Sequence, residues 1–371
     1  MASPGLPAAL SDDLLEEILL RVADPTDLAR ASAACVPSRH LIADGTFLRR
    51  YRSLHPPLLL GFLSRGFQSV EPPHGNAPAA RALAAAAGFS FEYLPPGCWD
   101  PCDARDGRVL LQRRPPSYEG VVFPDLAVCD PLSRKYLLLP AIHGEVQKLK
   151  SFDAFLLPSG DWEDTSFRVV GMAHCKKKLL VFDYSSVSGC SSVGASTSGD
   201  DLGLDVSSVI LSLPRYVYGC FYWQVYMKSK LLKLDMNAME FSTVDAPPQY
   251  DVWNIVIVEA GEGRIGVFSR IRHDTFVDYY TVMHYESDWA NKRQMRNVIL
   301  LPANYRCYIF GAAEGYIFLV GIPKVQDTGP AAYFSLKIET LEIEMVGRIR
   351  SPFFHLYPYF GFPPWMSPRR I

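Results

Sequence analysis

The sequence predicts a mainly β chain with a short α-helical module at its N-terminus. Three observations predict it. Apolar residues recur at helical spacing in the first sixty positions, and short aromatic and β-branched runs broken by Gly, Pro, Asp and Ser follow from Phe89 onward. A strand-and-turn unit also recurs at an almost constant interval.

The bulk numbers agree with a folded chain. Of 371 residues, 49% are hydrophobic, 12% aromatic and 20% charged, which excludes wholesale disorder. That length suits one small module followed by one large repeat domain. A net charge of -2, from 37 basic and 39 acidic residues, supplies no field to recruit nucleic acid or an anionic membrane. Met1-Ala2-Ser3-Pro4 opens no secretory leader, and charge, Pro or Gly interrupts the apolar stretches well short of ~18 residues. The expectation is a soluble protein of the cytoplasm or nucleus. Eight cysteines are scattered, with Cys98 and Cys102 the only close pair, so neither a metal centre nor a disulfide is expected.

The helical module is read residue by residue. From Ser11 to Val22, Leu14, Leu15, Ile18, Leu19 and Val22 share a stripe, and Asp12, Asp13, Glu16 and Glu17 favour its positive N-terminal end. Asp24 caps a second helix with Pro25 at its first position, running to about Cys35 and burying Leu28, Ala31 and Cys35. Pro37 ends that helix, Arg39 to Ile42 adds a further turn, and Asp44 caps a last one carrying Phe47, Leu48 and Tyr51. Four short helices bury little surface of their own, so their apolar face reads either as an interface or as a cap on the next domain.

Leu10-Ser11-Asp12-Asp13-Leu14-Leu15-Glu16-Glu17-Ile18-Leu19, Arg21-Val22, Asp27-Leu28-Ala29-Arg30 and Cys35 resemble the F-box of plant F-box proteins. The resemblance implies binding to a Skp-type linker protein and, through it, to the cullin scaffold of an SCF ubiquitin ligase. Leu10, Leu14, Ile18 and Leu28 would be the apolar anchors, with Ala31 and Cys35 packing behind them. Two positions depart from the family: Ser11 replaces a usual proline and Ser38 a common tryptophan.

After this module (1–56), residues 57–88 read as a connector with a first strand at Leu58 to Leu63 and an alanine-rich helix over Ala79 to Ala87 ending at Gly88. Residues 89–371 carry the repeats. Leu126 to Asp130, Leu179 to Asp183 and Leu231 to Asp235 place aspartates 53 and 52 residues apart, and weaker copies end at Glu286 and Lys337. A period near fifty with about four strands per unit fits a kelch-type β-propeller of five or six blades; a large β-sandwich is the alternative. Glycine followed by an apolar run, as at Gly107, Gly219, Gly263 and Gly315, reads as core strand. Gly219 to Trp223, Lys230 to Val244 and Ala312 to Tyr316 also resemble the F-box-associated domain of such proteins.

The obvious enzyme signatures are missing: no Gly-x-Ser-x-Gly elbow, no His-Glu-x-x-His pair and no phosphate-binding loop. His174 and Cys175 are adjacent, so on a strand they point to opposite faces. Lys176 to Lys178 reads as a solvated hairpin turn, and the Ser- and Gly-rich run Ser185 to Asp205 as a mobile loop. Candidate target contacts are the aromatics outside the alternation, Tyr216, Tyr218, Trp253, Tyr279, Tyr280 and Tyr305, and Phe353 to Trp365 closes or covers the ring. No catalysis and no cofactor is expected. The leading expectation is a substrate receptor that holds a protein target for ubiquitination. A propeller interaction protein with a drifted F-box comes second, and a hydrolase, which would need converging carboxylates in the central channel, third.

Overall fold

The computed structural model describes residues 11–115, 123–142, 149–158, 165–207, 209–226, 228–246, 255–269, 276–283, 295–324, 329–349, 356–367 and 371. The chain starts as four capped helices. These are α1 (Asp12–Leu20), α2 (Pro25–Ala34), α3 (Val36–Ala43) and α4 (Gly45–Leu54). Ser11 accepts the Leu14 N–H at 3.4 Å, Asp24 the Thr26 N–H at 2.7 Å, and Asp44 the N–H groups of Thr46 and Phe47 at 2.7 and 3.2 Å. Each satisfies donors that the first helical turn cannot. Pro37 does not end α2, as its position suggested; it lies in the first turn of α3, where a missing N–H costs nothing.

Leu19, Leu20, Leu28, Ile42, Phe47 and Tyr51 form the module's own core. The Tyr51 hydroxyl closes it by donating to the Val22 carbonyl at 2.8 Å. Arg50 ties α4 to α1 through ion pairs with Glu16 and Glu17.

Twenty-three strands follow among the described residues. β1 (Leu58–Leu63) and β2 (Phe67–Ser69) precede helix α5 (Ala77–Ala86). Five four-stranded antiparallel sheets then succeed one another. The first holds β3 (Trp99–Arg105), β4 (Arg108–Arg113), β5 (Leu126–Asp130) and β6 (Lys135–Leu138). The second holds β7 (Leu149–Leu156), β8 (Arg168–Cys175), β9 (Lys178–Ser185) and β10 (Cys190–Ser198), trailed by the short helix α6 (Gly199–Leu202). The third holds β11 (Arg215–Val217), β12 (Cys220–Val225), β13 (Lys230–Asp235) and β14 (Glu240–Asp245). The fourth holds β15 (Ile255–Glu259), β16 (Arg264–Ser269), β17 (Phe276–Met283) and β18 (Met295–Leu300). The fifth holds β19 (Tyr305–Ala313), β20 (Tyr316–Pro323), β21 (Ala331–Lys337) and β22 (Ile343–Ile349). The last strand, β23 (Tyr357–Gly361), returns to pair with β1 and completes a sixth sheet in the order β2-β1-β23.

The sheets are the blades of a six-bladed β-propeller. The first strands of successive blades lie side by side at the centre, β3 beside β7, β11 beside β15 and β15 beside β19, with β23 meeting β3 to close the ring. Between blades lie separate apolar cores. One joins blades one and two around Phe152 and Phe182, another blades two and three around Trp223. A third joins blades three and four around Tyr222 and Tyr280, and a fourth blades four and five around Phe268 and Phe334. The largest wraps both sides of the sixth blade. A sheet with one uncovered apolar face is unstable, and each blade here is covered only by its neighbours.

The repeat seen in the sequence falls on the third strand of blades one to five, β5, β9, β13, β17 and β21, with residues 284–286 of its fourth copy outside the described residues. Asp130 and Asp235 end their strands and cap the next turn, Asp130 accepting the Leu132 N–H at 3.0 Å and Asp235 the Asn237 N–H at 2.9 Å. Asp183 sits inside β9 and pairs with Arg168 at 2.6 Å, so the turn counterpart in blade two is Ser185. Each of the Gly-then-apolar runs is a second strand, three of them entered through a tight turn in which both residues have positive φ. These angles are 52° and 72° at Asp106-Gly107, 46° and 77° at Tyr218-Gly219, and 47° and 78° at Glu314-Gly315. Such mirror-image turns match the twist of a hairpin, and glycine takes the second position without steric cost.

Two expectations are corrected. Residues 57–88 are not a connector: β1 and β2 are blade strands, and α5 covers the outer position of the sixth blade through Ala79, Ala80 and Leu83. Ser185 to Asp205 is not a loose loop either. Its small residues build outer strand β10, which buries Ala195 and Thr197, and a capping box between Ser198 and Asp201 starts α6. The register shifts beside Gly194, where a side chain would collide with Met239 of the next blade.

Ring closure is concentrated on Phe62, whose ring centroid lies 5.9, 5.4 and 4.9 Å from those of Phe310, Phe318 and Tyr333. Phe62→Ala is expected to lower unfolding free energy in urea by about 3–5 kcal/mol. Val187→Ala, at a side chain 81% exposed, is expected to change it by less than about 0.5 kcal/mol. Equal effects would refute the closure role.

Candidate functional site

Two surfaces stand out, one on the helices and one at the centre of the ring. On α1, Leu14 and Ile18 are one turn apart and stand 57% and 49% exposed, whereas Leu19 and Leu20 turn inward. The other residues expected to contact a linker do not all join them. Leu28 is 0% exposed and belongs to the module's core, because α2 packs on α3 and turns that face into the cluster of Leu19, Leu20, Ile42, Phe47 and Tyr51. Ala31 is half-buried beside the same core, Cys35 is exposed, and Leu10 lies outside the described residues. Cys35 donates its thiol hydrogen to the buried Ser38 hydroxyl at 3.0 Å, so Ser38 is held at the position where a large side chain was expected.

The helices stand at one end of the ring. Phe362 and Met366, just past β23, pack into the module core, and Arg52 donates to the Met366 carbonyl. The Tyr359 hydroxyl donates to the Gly107 carbonyl at 3.0 Å, which places this end of β23 beside the tight turn of blade one. The module therefore shares a face of the propeller with the tight turns.

A cavity of about 460 Å³ opens along the ring axis. All six innermost strands or their flanks line it, including Asp103, Leu156, Arg215, Glu259, Phe310 and Tyr357. Asp103 accepts the Leu156 N–H and the Ala104 N–H, both at 2.8 Å, and so ties blade one to blade two. Burial pushes its carboxyl up, against the pull of Arg105 and of those two N–H groups. Arg215 reaches across to the Phe310 carbonyl of blade five at 3.1 Å, and burial pushes its guanidinium down to about 10. Glu259 accepts the Tyr218 N–H at 2.8 Å. Glu314 stands in the tight turn of blade five at the mouth. Though open to water there, it is enclosed enough that burial raises its carboxyl, with Asp106 and Glu259 adding to the rise and Arg105 opposing it.

Arg105 completes the mouth, and its guanidinium makes no hydrogen bond or ion pair among the described residues. Arg105, Glu259 and Glu314 thus converge without being ion-paired to one another. The sequence reading offered no charged pair for this channel, since its members come from four different blades. The signal was present in the tight turns themselves: Arg105 immediately precedes Asp106-Gly107, and Glu314 is the first residue of its own turn.

The predicted tyrosines are scattered rather than gathered on a rim. Tyr216 lines the cavity and packs on Phe221 at 5.1 Å between ring centroids. Tyr218 sits in the tight turn of blade three. Tyr279 stacks on Phe268 at 4.3 Å and Tyr305 meets Phe334 at 5.2 Å, both against the core between blades four and five, while Tyr280 is buried between blades three and four. Trp253 lies outside the described residues.

Other chemistry does not assemble. His174 contacts the Val206 carbonyl at 2.7 Å while Cys175 packs toward blade one, so the adjacent pair diverges. Among the described residues no group of three or more His, Cys, Asp or Glu could hold a metal ion, and no helix is long and apolar enough to cross a membrane.

No family model matches the chain, and no curated protein is similar to it. Solved structures give distant likenesses. A prolyl endopeptidase is 11% identical at a TM-score of 0.35, covering 69% of this chain and 42% of its own. This chain therefore spans less than half of that enzyme. YCF48 with a bound D1 peptide is 9% identical at 0.37, covering 67% of each chain. A luciferin-regenerating enzyme is 9% identical at 0.39, covering 72% of this chain and 80% of its own. At such scores none bears on activity, and the propeller rests on the chain's own strand order.

Glu314 gives the channel a pH signature. A carboxyl raised on folding adds stability below its ordinary value of 4.5 and loses it as pH rises through the folded value. Relative to Glu314→Gln, the wild-type chain is expected to lose stability as pH climbs from about 4 to about 7. Urea midpoints across that range measure it, and parallel curves for the two proteins would refute the enclosed carboxylate.

Proposed function

We propose that the chain is the substrate-recognition adaptor of an SCF-type cullin ubiquitin ligase, its helices docking on a Skp-type linker protein and its propeller holding the protein target. The carrying observation is the exposed Leu14 and Ile18 pair on α1, set on a module that already has a complete core. An apolar pair left outside a satisfied core is the kind of surface a partner covers. The resemblance of Leu10 to Cys35 to an F-box names the partner. Ser11 departs from the family's proline, yet it caps α1, which gives that position a structural use.

Catalysis belongs to another subunit in this reading. The chain contributes proximity: a target held in the ring is kept at high effective concentration near the charged conjugating enzyme. Helices and channel mouth share one face of the propeller, which favours presentation of the target on the ligase side. The second reading, an interaction module without ligase docking, draws on Ser38. That residue leaves no large side chain behind Cys35 for a linker to pack on.

Affinity capture with a purified Skp-type linker separates the two. Leu14→Asp combined with Ile18→Asp is expected to abolish capture while leaving thermal unfolding nearly unchanged, since both side chains are exposed. Leu28→Ala is expected instead to cost about 2–5 kcal/mol of stability, because it opens a cavity. A folded wild-type chain that shows no capture at tens of micromolar, about -6 kcal/mol, would leave the second reading standing.

A further inference from the structure

From the mouth of the central channel we infer that the propeller recognises a carboxylate borne by an extended peptide segment, with Arg105 and Arg215 as its partners. The inference deepens the reading of the ring as the target-holding half and is independent of linker docking.

Three observations carry it. First, the cavity of about 460 Å³ lies within the ~300–1,000 Å³ range of sites that enclose a ligand, and its walls are polar and apolar in about equal parts. Second, two guanidiniums line it with donors unused. Arg105 has a buried Nε without a hydrogen-bond partner, and Arg215 spends its contacts on two backbone carbonyls, of Pro214 at 3.5 Å and Phe310 at 3.1 Å. Neither has an ion pair among the described residues. A guanidinium has five N–H donors and no acceptor, and its planar fork matches a carboxylate. Third, the channel's own carboxylates do not fill this role. Asp103 is turned onto the backbone N–H groups of Ala104 and Leu156, and Glu259 onto that of Tyr218.

Those carboxylates also limit the ligand. Asp103, Glu259 and Glu314 face the cavity, and Asp106 acts on it from the neighbouring turn. A polyanion such as nucleic acid or polyphosphate would meet four like charges. A single carboxylate on an otherwise neutral or basic chain meets the arginines, while basic neighbours would meet Glu259 and Glu314 at the rim. The carboxylate can be a chain terminus or an acidic side chain.

The test follows the arginine Nε–H resonances of the full chain by nuclear magnetic resonance, assigned through Arg105→Gln and Arg215→Gln. Three probes are titrated: N-acetyl-triglycine with a free carboxylate, its C-terminal amide, and the amide with glutamate at the central position. Saturable shifts of Arg105 and Arg215 with the first or third probe, and none with the amide, are expected. Which of the two acts distinguishes a terminal from a side-chain carboxylate. Arg105→Gln is expected to weaken the response about tenfold without lowering stability, since that side chain has no hydrogen bond to lose. Equal shifts with the amide, or none with any probe up to tens of millimolar, would overturn the inference. Should Arg215→Gln unfold, Arg105→Gln alone decides it. Linker capture by Arg105→Gln is expected to match the wild type, so the two readings fail separately.

Discussion

Everything in this fold depends on the antiparallel pairing of β23 with β1, in which Leu58 faces Gly361 across some three hundred residues of sequence. Five blades are each made from one continuous stretch, but the sixth takes its inner strand from the C-terminal region and its next two from the segment before the first repeat. Without that pairing, blades one and five would expose apolar faces to water. With it, the largest core wraps β1 and spans strands of blades one, five and six together. The loop-closure cost of such a long-range pair grows only logarithmically with length, whereas the apolar area it covers is that of two whole blade faces.

The closure also positions the helices. The chain enters β1 from α4 and leaves β23 toward Phe362 and Met366, so both connections emerge at one point and the helices pack on the exit segment. A module of four short helices has too little surface to be stable by itself, and here it borrows two core residues from the far end of the chain. The Arg52 contact to the Met366 carbonyl adds a buried polar link at the same place. Order in the ring and order in the helices are therefore coupled.

Much of this was legible in the sequence because local chemistry repeats wherever a local structure repeats. Turn-capping aspartates such as Asp130 and Asp235 mark one position in blades one and three, and paired turn residues such as Glu314-Gly315 mark another in blades one, three and five. Helix caps Asp24 and Asp44 were equally plain, since each acts on a donor two or three residues away. What could not be read was the fate of residues whose partners are distant. Leu58 to Leu63 looks like an isolated strand until β23 arrives beside it. Ser- and Gly-rich β10 looks disordered because its small residues are suited to an outer strand only when β9 and Met239 are in place. Leu28 carries the spacing of an interface residue and of a core residue alike. Only the packing of α2 onto α3, which turns Leu28 into the shared core, decides between them.

The channel is the extreme case, since no two of its charged residues need be near in sequence. Asp103 and Arg105 come from blade one, Arg215 from blade three, Glu259 from blade four and Glu314 from blade five. Their shared property is position: each lies at or within a few residues of a turn on the same face, where the innermost strand hands over to the next. A stable ring needs small or apolar groups there, and enclosed charges without ion-pair partners oppose stability. Asp103 offsets part of this by bridging blades one and two, and Arg215 by reaching from blade three to blade five. Arg105 draws on the Asp103 and Glu314 charges across space, but neither Arg105 nor Glu314 makes an ion pair among the described residues. Charges gathered at one mouth without ion pairs to one another are the strongest physical sign that it is shaped for something outside the molecule.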